Sequence, residues 1–241
     1  MAEEKTAISP LKQFNMVLTN QKTTSFLDDL LKDRKTLFTS NLAAIVAKDK
    51  KLQNCEPMSI IMAAVTATSM GLSFDPNLGR AYIIPYGNVA TFQVGWKGLR
   101  ELALKTGYYD AINTRDVREG EIKNEDYLTG RIDFAFVDDR ENKKVIGYLA
   151  HVSYVGGGSE TKYMTVEQIT AHAKQYSKSY NGTDSRWKID FDKMARKTVL
   201  KLLLNQSILS ESDTQLAKAI KFDQSKVNEN FEPEYVDNQP D

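Results

Sequence analysis

Residues 80–107, RAYIIPYGNVATFQVGWKGLRELALKTG, hold a hairpin and a helix whose faces follow from spacing alone. Two extended runs flank Gly87 and Asn88, and a glycine at the first central position of a two-residue loop suits a II′ turn, whose twist matches paired strands. That turn sets the register. Tyr86 faces Val89, Ile84 faces Thr91 and Tyr82 faces Gln93 on one side; Pro85 meets Ala90, Ile83 meets Phe92 and Ala81 meets Val94 on the other. The second side is wholly apolar and belongs in a core. The first, with Arg80 beyond Tyr82, mixes aromatic, amide and cationic groups. It reads either as a solvated sheet face, which the hairpin alone favours, or as one face of a nucleic-acid platform.

After Val94 the period changes from 2 to 3.6. Trp96, Leu99, Leu102 and Ala103 form one stripe, Lys97, Glu101 and Lys105 another, and Thr106-Gly107 stops the helix. Gly95 and Gly98 bracket the point where strand becomes helix. Backbone amides there can point at an anion, although a tight turn uses glycines equally well.

Composition bounds the rest. With 241 residues, 41% apolar and 27% charged, the chain can bury one substantial core. No apolar run reaches membrane-spanning length and the N-terminus has no signal-peptide pattern, so a cytoplasmic protein with no membrane contact is expected. The single cysteine, Cys55, with His151 and His172, makes no zinc-type ligand set. Net charge is zero, but its sign is segregated. Residues 223–241 carry six acidic residues against Lys226, a net −5, which leaves +5 on residues 1–222.

Along the chain, residues 1–25 are weakly patterned, and short amphipathic helices follow around Phe26–Leu31 and over 40–48. Pro57 suits a first helical position, and the apolar run to Met70 reads as a buried helix ended by Gly71. Asp75-Pro76-Asn77 is a turn. Residues 111–164 read as antiparallel sheet and are the least informative part of the chain. Glu125-Asp126 and Asp138-Asp139 suit turn carboxylates better than a two-metal nuclease site. Gly156–Gly158 reads as a hairpin tip, because no Gly-Lys dipeptide completes a P-loop. No catalysis and no cofactor are therefore expected. Thr165 with Gln168 forms a capping box for a helix that carries His172, read as a surface histidine. The polar stretch 177–186 reads as a mobile loop offering Lys178, Tyr180 and Arg186 to a strand.

Residues 186–204, RWKIDFDKMARKTVLKLLL, read as one helix. Phe191, Met194, Ala195, Thr198 and Leu202 share a face, with Lys193, Lys197 and Lys201 in a row opposite or flanking it and Arg196 on the other flank. Such a row is usually the wet side of a helix. Here no carboxylate interrupts it and a basic loop precedes it, which favours phosphate contact. Leu200 and Leu204 lie beside the row and partly cover it.

The run YIIPY, TFQVGWKGLRELA and TG resembles the signature of the RecT family of phage single-strand annealing proteins. A second block resembles the same family: Trp187, Asp190-Phe191, Met194, Lys197-Thr198 and Val199-Leu200. Between them the resemblance covers roughly residues 71–204, and it departs from the family pattern where a proline is expected soon after that helix. The resemblance implies an α+β fold, an antiparallel sheet with a β-hairpin and packed helices forming an annealing core over 57–210. Residues 1–56 would be an N-terminal helical oligomerisation region, and 211–241 a short helix followed by a disordered acidic tail. It also implies ATP-independent annealing in homologous recombination and DNA repair, by subunits in rings or helical filaments. Implied partners are single-stranded DNA, the annealed duplex, other copies of the chain, and a phage exonuclease or host single-strand binding protein. Family correspondence and charge together place Arg80, Gln93, Lys97, Lys105, Lys178, Arg186, Arg196, Lys197 and Lys201 at the DNA, with Tyr82, Tyr86 and Tyr180 as stacking groups. The rival from another class is a passive single-strand binder, such as an OB-fold barrel, which the strong helices fit poorly.

Overall fold

The computed structural model describes residues 8–126, 128–183, 185–207 and 215–236. It is α+β with antiparallel sheets, as expected. Contacts divide the chain into two compact units, one comprising the residues up to Gln93 with Phe222–Val236, the other running from Val94 to Lys221. Among the described residues no helix is long and apolar enough to cross a membrane.

The first unit begins with helices α1 (Pro10–Leu18), α2 (Gln21–Leu31), α3 (Lys35–Lys48) and α4 (Lys50–Gln53). Helix α1 lies in the stretch that looks weakly patterned. It forms because Ser9 caps it, Pro10 occupies its first turn, and Phe14 and Leu18, one turn apart, are both buried. Phe38, Leu42 and Val46 do the same for α3. Helix α5 (Pro57–Ser69) is the centre of this core: every residue from Ser59 to Ala67 is buried. Each fully buried Ile or Met there contributes about 1.5–3 kcal/mol. Gly71, at φ +70°, terminates the helical segment in a conformation glycine adopts without strain.

Strands β1 (Ala81–Tyr86) and β2 (Val89–Val94) form the hairpin. Gly87 has φ +60° while Asn88 does not have positive φ, which fits the II′ turn. Ala81, Ile83, Ala90, Phe92 and Val94 are buried, so the apolar face is the core face. On the other face Tyr82, Ile84, Tyr86 and Gln93 are half-buried, but Thr91 is fully enclosed and donates to the Ile84 carbonyl at 3.1 Å. The hairpin is tied to α5 by two hydrogen bonds. The Glu56 amide donates to the Asn88 carbonyl (2.7 Å), and the Ala90 amide donates to Ser59 Oγ (2.8 Å).

The second unit starts with α6 (Trp96–Lys105), followed by β3 (Tyr109–Arg118), β4 (Ile122–Asp126), β5 (Arg131–Phe134), β6 (Val145–Tyr154), β7 (Ser159–Thr165), α7 (Val166–Tyr176), α8 (Arg186–Ile189), α9 (Phe191–Gln206) and α10 (Gln215–Phe222), whose last residue falls outside the unit. Strands β3, β6 and β7 form an antiparallel sheet in that order, and β4 pairs with β5 in a separate hairpin. The register sets Thr114 opposite Ala150 and Asp116 opposite Tyr148, whereas Asn113 faces His151 and Arg115 faces Leu149. Period-2 alternation sends the first pairs to one face and the second to the other. Ile112, Thr114, Tyr148, Ala150 and Val152 are buried and make the inner face, where Tyr148 meets Phe191 of α9 at 6.1 Å. Gly147 has no room for a Cβ, which would stand 2.5 Å from the Tyr163 ring and from the Met164 carbonyl. The capping box of Thr165 and Gln168 is present at the start of α7. Gly157 and Gly158, both at positive φ, turn the β6–β7 hairpin.

Two expectations are corrected. The helix read as continuous over 186–204 is broken at Asp190 (φ −148°, ψ 63°), whose carboxylate leaves the helical path to accept from the Lys193 amide and cap α9. The acidic tail is not wholly disordered. Strand β8 (Ser225–Val227) pairs with β2 at Phe92–Ser225, and β9 (Pro233–Tyr235) pairs with β8. Val227 is 1% exposed, Phe231 lies 6.4 Å from Phe26, and Lys226 pairs with Glu56 at 3.1 Å. Low average apolarity hid a few well-placed apolar residues that complete a sheet. Residues 237–241 of that tail, and Ile208–Leu209 at the questioned helix end, lie outside the described residues.

Candidate nucleic-acid interface

Four of the twelve sequence-predicted residues belong to the first unit. Arg80 is exposed immediately before β1, and Tyr82, Tyr86 and Gln93 stand half-exposed on the outer side of the hairpin. This is the mixed aromatic, amide and cationic surface the turn register requires. The other eight belong to the second unit, on α6, the loop after α7, α8 and α9.

On α6, Leu99, Leu102 and Ala103 are buried and Lys97 is exposed, its Nζ 5.9 Å from the centroid of the Trp96 ring. Lys105 is exposed as well, but it forms an i, i+4 ion pair with Glu101 at 2.7 Å. Such a pair is worth only a few tenths of a kcal/mol, so a phosphate can compete for the lysine.

The loop after α7 is ordered by its own turns. The Tyr180 amide donates to the Ser177 carbonyl, the Gly182 amide to the Ser179 carbonyl, and Lys188 Nζ to the Asn181 carbonyl at 2.9 Å. Tyr180 sits between Lys174, 5.9 Å from its ring, and Trp187, whose ring centroid is 6.3 Å away. Lys178 is exposed on this loop and Arg186 at the start of α8.

The largest correction concerns α9. Its buried residues are Ala195, Lys197, Thr198, Val199, Leu200, Leu203 and Leu204, so the core face is centred beside Leu200 rather than on Phe191, Met194 and Leu202. The lysine row is accordingly graded: Lys193 is exposed, Lys197 only 7% exposed and Lys201 intermediate. Leu200 and Leu204 pull the helix round because fully burying two leucines outweighs leaving two lysine heads in water.

Arg196 is engaged inside the unit. Its Nη1 donates to the Thr114 carbonyl (2.7 Å), its Nη2 to Asp116 (3.1 Å), and its Nε to Asp192 (2.8 Å). Asp116 also accepts from Arg118 Nε at 2.8 Å and pairs with Arg140 at 3.3 Å, while Arg140 binds Glu121 at 2.6 Å. Burial alone raises the Asp116 carboxyl, but the Arg118 hydrogen bond and the Arg140 charge more than offset it and hold the group below the ordinary aspartate value. The same environment raises the Arg196 guanidinium: its burial opposes the charge, and Asp192 and Asp116 more than compensate. Three guanidiniums around one carboxylate clamp β3, the 140–143 turn and α9 together. Nothing in the sequence signals this network, whose members lie up to 80 residues apart.

His172, read as a surface histidine, is half-buried and its Nδ1 has no hydrogen-bond partner among the described residues. Burial and the nearby Lys201 charge lower its pKa. The acidic pairs serve turns: Asp126, at the end of β4, accepts from the Leu128 and Thr129 amides, and Asp139, at φ +56°, accepts from the Asn142 side chain. Among the described residues no group of three His, Cys, Asp or Glu side chains could hold a metal ion.

The chain resembles known proteins over most of its length. It is 38% identical over 218 residues to the uncharacterized protein YqaK of Bacillus subtilis, an alignment covering 88% of this chain and 75% of that protein. It is 25% identical over 189 residues to Protein RecT of Escherichia coli, covering 75% and 68% respectively. The sequence model of the RecT family matches residues 36–236, a span that takes in α5, α9 and the strands of all three sheets, and the chain therefore belongs to the RecT family.

Proposed function

We propose that this chain binds single-stranded DNA through phosphate contacts and anneals it to a complementary strand without a nucleotide cofactor. Membership of the RecT family, which supports single-strand annealing in recombination, is the observation that carries the reading. The exposed cations Arg80, Lys97, Lys178 and Arg186 add to it, because neutralising phosphates releases counterions and leaves base edges open for pairing. Tyr82, Tyr86 and Gln93 would meet the strand from the hairpin, with Lys105, Tyr180 and Lys201 as further contacts. Arg196 and Lys197 act through the fold. Pairing selects the sequence and duplex formation is downhill, so no covalent step is needed. The N-terminal helices would join subunits in a ring or filament.

The test mixes complementary labelled oligonucleotides with the full chain in the absence of nucleotide. Annealing should be faster than spontaneous and weaken as salt rises. Lys97→Ala with Arg186→Ala should weaken strand binding and flatten the salt slope by about 1.4, about 0.7 for each lost contact. A need for ATP hydrolysis overturns the proposal, as does cleavage of the DNA with magnesium. Strand binding that leaves the pairing rate unchanged would make the protein a passive binder.

A further inference from the structure

The outer face of the three-stranded sheet is the part of the second unit for which neither the sequence nor the family match assigns a role. There a groove of about 750 Å³ opens, walled by the β4–β5 hairpin and bounded by the end of α9. That volume lies within the roughly 300–1,000 Å³ of small-ligand clefts. Its floor is the cross-strand row Asn113, His151 and Thr161, with Arg115 one row along. Thr161 Oγ1 lies 2.8 Å from His151 Nδ1 and so fixes the ring, while Nε2 takes no part in that contact.

Charge and shape in this groove point to a nucleotide. Arg115 and Arg131 line it, with Lys162 and a single carboxylate, Glu160, entering from the β7 rows opposite Ala150 and Val152. Arg115 is exposed and its side chain makes no hydrogen bond or ion pair with any described residue; Arg131, with a side chain 79% exposed, pairs among the described residues with Asp133 at 3.2 Å. Lys162 donates to Gln206. Phe134 of the hairpin wall is 43% exposed, an aromatic surface beside two guanidiniums. Cations that track phosphates combined with an exposed ring for a base are the components of a single-strand contact.

We propose that this groove holds one or two nucleotide units of a DNA strand, with phosphates on Arg115 and Arg131 and a base against Phe134. The proposal rests on the strand-binding reading above and adds a contact that the twelve sequence-predicted residues do not include. The experiment measures affinity for a labelled oligonucleotide across a salt series. It compares the parent chain, Arg115→Ala with Arg131→Ala, Phe134→Leu, and a control, Lys143→Ala with Lys218→Ala, which removes the same charge from exposed residues outside the groove. The groove variant should bind at least several-fold more weakly, with a salt slope shallower by about 1.4, while the control stays close to the parent. Phe134→Leu should weaken binding about fivefold or more without changing the slope, the mark of lost stacking. Equal slopes for groove variant and parent overturn the groove alone, and failure of the parent to bind a strand overturns both readings. A nucleoside monophosphate that displaces the oligonucleotide at micromolar concentration makes the groove a free-nucleotide site, and that outcome also overturns it.

Discussion

Successive residues of β3 show how differently two faces of one sheet use the same chemistry. Thr114 and Asp116 point inward, where Arg196, Arg118 and Arg140 close on backbone carbonyls and carboxylates; Asn113 and Arg115 point outward, where the guanidinium meets no protein partner among the described residues. A one-residue step converts an arginine from a structural clamp into a free cation. Counting cations along the chain therefore ranks candidate DNA ligands poorly. What ranks them is whether the charge is already satisfied within the fold.

The inner face should be the easiest to break. Asp116→Asn removes the charge that Arg118, Arg140 and Arg196 share, and removing one partner of a largely buried ion pair costs about 3–4 kcal/mol. Denaturant melts should show that loss at neutral pH and a progressively smaller one as pH falls below about 3.9 and on through the lowered value of the folded carboxyl, where the parent takes up its own proton. The sign follows from the direction of the shift: a carboxyl held below its ordinary value adds stability above that value and loses it as pH falls. Equal stability of parent and variant at pH 7 would mean the three arginines do not depend on Asp116.

A chain ending at Phe222 tests the first unit in the same way. It loses β8 and β9, including Val227, whose burial is worth about 1.5–3 kcal/mol. The truncated protein should melt earlier and expose Phe92 to protease digestion. A truncation with unchanged stability would return the whole segment to the role of a dispensable acidic tail.

Next in size is the graded lysine row. Lys197→Ala should cost about 1 kcal/mol through lost packing of its buried stem, and Lys193→Ala should stay within about 0.5 kcal/mol. Equal effects would place both lysines on one solvated face.

The parts of the fold legible in the sequence are those governed by local rules. Helix α5, the II′ hairpin and the capping box all follow from residues within one or two turns of each other. What sequence reading misplaces is decided by partners distant in the chain. The apolar stripe of α9 is ambiguous by one lysine row because Phe191, Met194 and Leu202 offer as plausible a face as Val199, Leu200 and Leu203. Packing against the sheet selects the latter. The tail has too few apolar residues to fold alone, but Ser225 finds a waiting strand edge at Phe92. For the candidate site, the sequence gives no sign that Arg196 is engaged within the fold while Arg80, Lys97, Lys178 and Arg186 are exposed, because its partners Thr114 and Asp116 lie some 80 residues upstream. Arg115 and Arg131 were readable only as one cation in an alternating strand and one beside a turn.

The smallest expected effect reads the inner side through a titration. His172 on α7 has its ring centroid 4.6 Å from that of Tyr176 at a 45° tilt, lacks a partner for Nδ1 among the described residues, and feels Lys201 of α9. Burial disfavours its charged form and the Lys201 charge adds to that, so its folded pKa lies below the ordinary histidine value. Protons therefore bind the unfolded chain first. Stability from this residue is complete above about pH 6.5 and is lost as pH falls through the folded pKa. His172→Gln cannot titrate, so denaturant melts between pH 8 and pH 5 should show the parent losing stability relative to the variant as the solution is acidified. Parallel curves would mean that the imidazole is solvated when charged, and that this edge of α9 is as open as the outer face of the sheet.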